Sequence, residues 1–508
     1  MSAVNVLVIG VGPHTRLNHL PALAAAQDAG LAGTLTGIDL PHLADALVEY
    51  SASGRPRRMP VIAVEAFPVT RSTLPHRVRG VLDNVVARER IGAVVVATEP
   101  SVHLPYALWA IERGLPVLLD KPLTIHPGAS TDPAAAMAIA DDFDTLLGAY
   151  RRARRRDPRM VVSVLCQRRW HPAFRTMREL VAEVAEATNC PVTSVQSSHG
   201  DGQWRLPDEF VDLSYHGFDR GYGKASHSGY HHFDTVPWLL AAGERPGKEI
   251  DEIEVHAACT RPADSLAQLT VADHERILPG FTARNPYSVS DLERLTDGFG
   301  EVDVFLSIAY RSCGRMMTLA SSNLAHNTFS QRGSLHPVVD GLYKGNGRIG
   351  QETHIIQQGP FQALHLHVLQ TLHEDEEGVD PTAPGGADHI ALHVFRNNRL
   401  RPDWERHRAL GFADLVQGAG PAAVLPTQRS ARTCAVTEFL TYLTGGIPRT
   451  GLTSDLADHR RSARLMSAAY LSMAHRFASG RSTTAALDFR PAPDLLSDRA
   501  LVALGVAG

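Results

Sequence analysis

Lysine is scarce in this chain. Four occur in 508 residues, at Lys121, Lys224, Lys248 and Lys344, so nearly all positive charge is arginine. Codon bias accounts for that choice, and it makes a lysine inside a motif less expected by chance. Cysteine is scarce too: Cys166, Cys190, Cys259, Cys313 and Cys434 are scattered, odd in number and include no Cys-x-x-Cys pair. Such a set argues against a disulfide framework and a thiolate zinc site, and it fits a reducing cytoplasm. No apolar run reaches the roughly 18 residues that a membrane-spanning helix needs. Met1–Gly12 has no cationic flank before its apolar stretch, so it reads as a first strand and not as a signal peptide. Lys+Arg total 50 against 54 Asp+Glu, a net charge of −4, which speaks against a dedicated nucleic-acid binder.

What is present is ordinary globular composition, 44% hydrophobic and 20% charged, which excludes a disordered chain. At about 150 residues per domain the length suggests roughly three domains, or two large ones. Apolar runs at Val4–Ile9, Leu35–Ile38, Ala93–Ala97 and Val117–Leu119 suit strands buried on both faces of a parallel sheet. Leu20–Ala29, Leu43–Tyr50, Val81–Arg90 and Tyr106–Arg113 read as the crossover helices between them. This alternation predicts a doubly wound α/β domain with right-handed crossovers. A long helix is expected over Ala134–Arg156, a strand over Met160–Gln167 and a helix over Ala173–Ala187. The first of these ends in Arg151–Arg159, with six arginines and one aspartate. Those cations can offset the carbonyl dipole of a solvated helix end; anion binding is the second reading.

Past residue 190 the pattern changes. Val302–Ala309, Met316–Ala320 and Ala391–Phe395 alternate like antiparallel strands, and Gly341–Gly350 and Glu374–Gly386 read as loops. The final helix is expected over Leu456–Ser479. The division predicted is residues 1–170 as a Rossmann domain and 171–508 as an α+β domain with a large, open, mostly antiparallel sheet. Insertions fall around 271–300 and 330–430.

Gly10-Val11-Gly12-Pro13-His14-Thr15 follows the first strand. Gly10 permits the tight turn, and Gly12 lets the backbone approach a pyrophosphate at a helix N-terminus. Thr15 stands where the dinucleotide fingerprint has its third glycine. Asp39 ends the second strand, 27 residues past Gly12. A carboxylate there can accept from ribose hydroxyls and would repel a 2′-phosphate, so NAD is expected over NADP.

Ala97-Thr98-Glu99-Pro100-Ser101-Val102-His103, followed by Gly114-Leu115-Pro116-Val117-Leu118-Leu119-Asp120-Lys121-Pro122, resembles the Gfo/Idh/MocA oxidoreductases. That family's strand closes in Glu-Lys-Pro; Asp120 is one methylene shorter. Arg169 matches the family's arginine after the sixth strand, and Gly229-Tyr230-His231-His232-Phe233-Asp234 is similar to its Asp-x-Gly-x-His-x-x-Asp. The resemblance covers residues 4–190 well and fades through 250–430. It implies cofactor contacts from Pro13, His14, Thr15, Thr98, Glu99, Pro100, His103, Asp120, Lys121 and Arg169. It also implies Lys121 polarising a reacting oxygen and His231 as general base.

The family's aspartate four residues before that histidine is His227 here. Three readings stay open: His227 bonds substrate, the site has lost or altered its redox chemistry, or His227 and His231 bind a metal with Asp234 or His232 helping. No metal is expected on balance. Tyr222, Lys224 and His232 are further candidates for substrate contact, although a glycine-flanked loop lysine is exposed by default, and Asp234 is expected to brace a helix. The resemblance therefore implies a cytoplasmic NAD-dependent oxidoreductase acting on a sugar-like or cyclitol alcohol, without nucleic-acid or membrane partners, as a homodimer or homotetramer. Alternatives are a non-redox net reaction on tightly held NAD, or a non-catalytic dinucleotide sensor.

Overall fold

A computed structural model describes residues 3–44, 47–52, 55–68, 72–213, 217–330, 349–370, 380–418, 423–480 and 484–489. Residues 341–348 of the Gly341–Gly350 stretch and 374–379 of the Glu374–Gly386 loop lie outside that set.

Two sheets organise the chain. The first contains β1 (Val4–Ile9), β2 (Ala32–Asp39), β5 (Val61–Ala63), β6 (Ala93–Val96), β7 (Val117–Leu119) and β8 (Val162–Val164). Its order is β5-β2-β1-β6-β7-β8 and every pairing is parallel. Val6, Leu7, Val8, Val94, Val96, Val117 and Leu119 are wholly buried, as strands covered on both faces must be. Helices His76–Glu89, His103–Glu112 and Pro133–Arg156 cover one face. The last of these is capped by Asp132, whose carboxylate accepts from Ala134 N, and has arginines in its final turn.

The predicted helix Leu43–Tyr50 does not form. A short helix, Pro41–Ala44, leads instead to a hairpin of β3 (Val48–Ala52) and β4 (Arg55–Met59). Val48 and Tyr50 are buried while Glu49 is exposed, a period of two that only a strand satisfies. The strand expected over Met160–Gln167 shrinks to Val162–Val164, because Gln167–Arg169 turn into a 3₁₀ helix.

The second sheet has nine strands: β9 (Ser194–Gly200), β10 (Glu252–Thr260), β11 (Asp303–Ser312), β12 (Arg315–Ala325), β13 (Gln351–Gln358), β14 (Gln362–Leu369), β15 (Ala391–Arg396), β16 (His407–Leu410) and β17 (Thr484–Asp488). Their order is β16-β15-β14-β13-β9-β12-β11-β10-β17, and only β12 and β9 run parallel. Four of these strands come from the stretch around 330–430 expected as an insertion. The stretch around 271–300 is instead helical, with Thr270 and Ser288 each opening a capping box.

The chain's end returns to its beginning. Helix Gln428–Leu443 buries Ala431, Ala435, Val436, Phe439 and Leu440 in one cluster with Leu20 and Leu23 of helix Leu20–Asp28 and Val8 of β1, on the first sheet's other face. Helix Arg460–Ser479 packs against Pro133–Arg156 and against helix Gly229–Gly243, which carries His231.

Candidate active site

The C-terminal ends of parallel strands form the crevice in which open α/β sheets place their ligands. Four such ends meet here. After β1 comes the glycine turn. Gly10 has φ +89°, and a Cβ there would stand 2.6 Å from Ala97 O, so no other residue fits. Gly12 is the opposite case: a Cβ would meet nothing within 4 Å, leaving open space above the backbone. Asp39, at the end of β2, accepts from Val11 N at 2.6 Å and Leu40 N at 2.8 Å and so ties the turn to the next strand. Pro13 and His14 are exposed, whereas Thr15 is buried.

The ends of β6 and β7 are stapled by His103. Its Nδ1 lies 2.9 Å from Pro122 O and its Nε2 3.0 Å from Thr98 O, so the ring joins the Thr98–Glu99 loop to Lys121-Pro122. Pro100 opens the 3₁₀ turn that delivers His103, and Thr98 Oγ1 donates to Glu99 O. Glu99 reaches across to the second half of the chain, where its carboxylate accepts from Tyr222 Oη. Burial, and then Glu99, raise the Tyr222 phenol above its ordinary value, so it stays a donor.

Asp120 is held by three donors: His19 Nε2 at 3.1 Å, His14 Nε2 at 3.5 Å and its neighbour Lys121 N at 2.8 Å. Burial by itself would raise this carboxyl, but His19, His14 and Lys121 outweigh it and keep it ionised. Lys121 is half-buried; its loss of hydration lowers its pKa, and Asp120 partly restores it. Its Nζ donates to His227 O at 2.9 Å. That contact places the ammonium at the turn leading into helix Gly229–Gly243.

His231 sits in the first turn of that helix. Gln167, from the loop after β8, donates its amide to His231 Nε2 at 3.2 Å, which leaves the proton on Nδ1. Burial lowers the imidazole well below the usual histidine range, and Arg168, Lys121 and Arg432 push the same way. The ring is neutral, as a general base requires. His227 and His231 do not share a helical face, because helix Lys224–His227 ends before Gly229–Gly243 begins. No group of three metal-capable side chains among the described residues includes either one.

Two expectations change. Lys224 is not an exposed loop lysine: it is fully buried, 2.7 Å from Asp201 Oδ2 and 2.9 Å from His199 Nδ1. Arg169, assigned to the cofactor, is committed elsewhere. Its Nε and Nη2 grip both oxygens of Asp234 at 2.9 and 2.7 Å, and Ser462 Oγ donates to the same carboxylate. Arg169 and Asp234 thereby brace the His231 helix against the loop after β8. His232 is buried, stacked on His354 and 3.8 Å from Glu352.

Sequence reasoning missed Gln167, Arg168, His19 and Glu352. Arg168 chelates Glu352 at 2.8 and 2.5 Å, and Glu352 lies on the inward parity of β13. Gln167 and Arg168 adjoin Arg169, so the same motif carried the signal.

Residues 4–141 match the model of an oxidoreductase family with an NAD-binding Rossmann fold. They belong to the Gfo/Idh/MocA oxidoreductases. Inositol 2-dehydrogenase 4 of Saccharopolyspora erythraea is 30% identical over 182 residues, 36% of this chain. The match spans 43% of that relative's length. Two solved structures share the fold along almost the whole chain. An oxidoreductase domain protein from Kribbella flavida has a TM-score of 0.55 at 15% identity, covering 96% of this chain and 100% of that one. A levoglucosan dehydrogenase in complex with NADH and levoglucosan has 0.54 at 14%, covering 96% and 99%. The features of this segment fit the dinucleotide: open space over Gly12, Asp39 closing the turn and the Lys121 ammonium beyond the strand ends, with the neutral His231 imidazole brought up from the later half of the chain. No described helix is long and apolar enough to cross a membrane.

Proposed function

We propose that this chain is an NAD-dependent oxidoreductase that transfers hydride between the nicotinamide and a secondary alcohol or ketone of a sugar, cyclitol or sugar-containing metabolite. Residues 1–170 hold the cofactor, and 171–508 supply the substrate and oligomer surfaces. The observation that carries this reading is the contact of Lys121 with the carbonyl of His227, one turn from His231.

The glycine turn, Asp39, Thr98, Glu99 and Asp120 would hold NAD, which supplies the hydride acceptor. The remaining steps belong to the side chains. Lys121 hydrogen-bonds the reacting oxygen and stabilises its developing negative charge in a water-poor site. His231 Nε2, released from Gln167, takes the hydroxyl proton and returns it in the reverse direction. Tyr222 and His227 line the approach. Asp39 makes NAD the preferred form, because removing one repulsion of about 1–4 kcal/mol at 4 Å is what a neutral side chain there would offer a 2′-phosphate.

Named relatives that act on inositol and levoglucosan support the substrate class. The exposed face of the nine-stranded sheet, with Phe305, Leu319 and Phe395, supports a homodimer or homotetramer. The setting is cytoplasmic. A panel of sugars, cyclitols and their glycosides, scored for NADH formation and for copurified dinucleotide by mass, tests the reading. Substrate-dependent NADH is expected, and turnover with no net NADH change would replace the oxidoreductase with a non-redox enzyme.

A further inference from the structure

The first helix starts as a π turn, Thr15–His19, before continuing as Leu20–Asp28. A π turn closes its hydrogen bonds between residues five apart, here Leu20 N to Thr15 O, and tends to occur at functional sites. Its effect here is specific. It puts His14 above His19, with ring centroids 5.3 Å apart at 71°, and turns both Nε2 atoms towards one oxygen, Asp120 Oδ2, at 3.5 and 3.1 Å. A tetrahedral ion with bonds of about 2.0–2.2 Å sets its ligands about 3.3–3.6 Å apart; the His14 distance meets that, and the His19 distance needs to open by a few tenths of an ångström.

Two other His/Cys/Asp/Glu groups lie close enough to share an ion, Cys166–Asp234–His459 and His232–Glu352–His354. In both the carboxylate is already chelated by an arginine, Arg169 or Arg168, so a cation would be repelled. Asp120 is chelated by no arginine among the described residues; its cationic neighbour Lys121 bonds it through the backbone N and gives its Nζ to His227 O. His14 is about half exposed, which opens a path for an ion, while His19 is buried with its Nδ1 unpaired.

We propose that His14, His19 and Asp120 form a binding site for a divalent transition metal such as Zn²⁺, with a fourth position open to solvent. Two histidines and a carboxylate are ligands suited to that ion. The site stands at the glycine turn and consumes the carboxylate beside Lys121, so metal and dinucleotide exclude each other. This exclusion rests on the NAD reading above; the metal site does not.

Tautomer chemistry sharpens the test. Asn18 Nδ2 is 3.2 Å from His14 Nδ1, an arrangement that leaves the proton on Nε2. A metal needs that proton moved to Nδ1, where an acceptor should receive it. Asn18→Asp supplies one and keeps the contact with Arg432.

The experiment titrates the full chain, freed of dinucleotide, with Co²⁺ by visible absorbance and with Zn²⁺ by calorimetry, and then measures NADH fluorescence binding with and without Zn²⁺. Expected are one tetrahedral Co²⁺ per chain, binding weakened at least about tenfold in His14→Ala and tightened by up to about tenfold in Asn18→Asp. NADH affinity should fall as Zn²⁺ rises in the wild type and be indifferent to Zn²⁺ in His14→Ala. Equal metal binding by wild type and His14→Ala would place the ion elsewhere and overturn the site. One ion bound at this site with unchanged NADH affinity would overturn the exclusion. Failure of NADH to bind with or without metal would sink the NAD reading, while the Co²⁺ titration still decides the site.

Discussion

Lys121 and His227 are 106 residues apart in sequence and 2.9 Å apart in space, ammonium to carbonyl. The contact couples the end of a parallel strand in one half of the chain to the helix that carries His231 in the other. A half-buried lysine held by a backbone carbonyl, beside an ionised aspartate, is the arrangement on which the proposed role of Lys121 rests.

Replacing that lysine is the most direct check. Lys121→Ala should lower kcat by roughly 10²–10³, the typical loss for one donor to a developing oxyanion. NADH affinity, measured by fluorescence, should stay within a few-fold. A variant that keeps its turnover removes Lys121 from the reaction.

The pH profile follows from burial. His231 is held well below the ordinary histidine value of 6.5, so it remains an unprotonated base as pH falls through that range. Lys121 is shifted below the ordinary 10.5, so its charge is lost earlier than usual as pH rises. The expected kcat/KM for alcohol oxidation is flat across pH 6–7, with its alkaline limb below the normal lysine range. A limb near 6.5 that disappears in His231→Gln would show a solvated histidine instead.

The two glycines of the turn should separate folding from binding. At Gly10 a Cβ meets the Ala97 carbonyl and the positive φ is strained, so Gly10→Ala should lower the melting temperature markedly. At Gly12 the space is open, so Gly12→Ala should melt like the wild type yet bind NADH more weakly. Equal NADH affinity in Gly12→Ala would mean that the space is not the dinucleotide's.

The brace beneath the site is a stability term. Asp234→Asn leaves buried Arg169 with the more distant Asp458, at 3.9 Å, as its counter-charge, and a cost of up to about 3–5 kcal/mol is expected. Burial alone would raise the Asp234 carboxyl, but Arg169 and His459 hold it below its ordinary 3.8. Its contribution is therefore complete at neutral pH and is lost progressively as pH falls from the ordinary value of 3.8 down through the lower folded one. Acid titration of the melting temperature should show that loss in the wild type and a smaller one in Asp234→Asn.

The amino-acid order determined a good deal unaided. Runs rich in β-branched residues, bounded by turn signals, suit strands covered on both sides, and Gly10, Asp120-Lys121-Pro122 and the His231 segment are local patterns that the order of residues alone displays. Periodicity failed at Val48–Tyr50, where a short apolar stretch suits either a helix or a strand and neighbours decide. What only the tertiary structure decided are the partnerships. Whether Lys224 is exposed or locked to Asp201, whether Arg169 meets a ligand or Asp234, and that His19 turns towards Asp120, depend on contacts between residues tens to hundreds of positions apart. A side chain's charge is written in the sequence. The group that neutralises it is chosen by packing, because burial makes an unpaired charge too costly to leave.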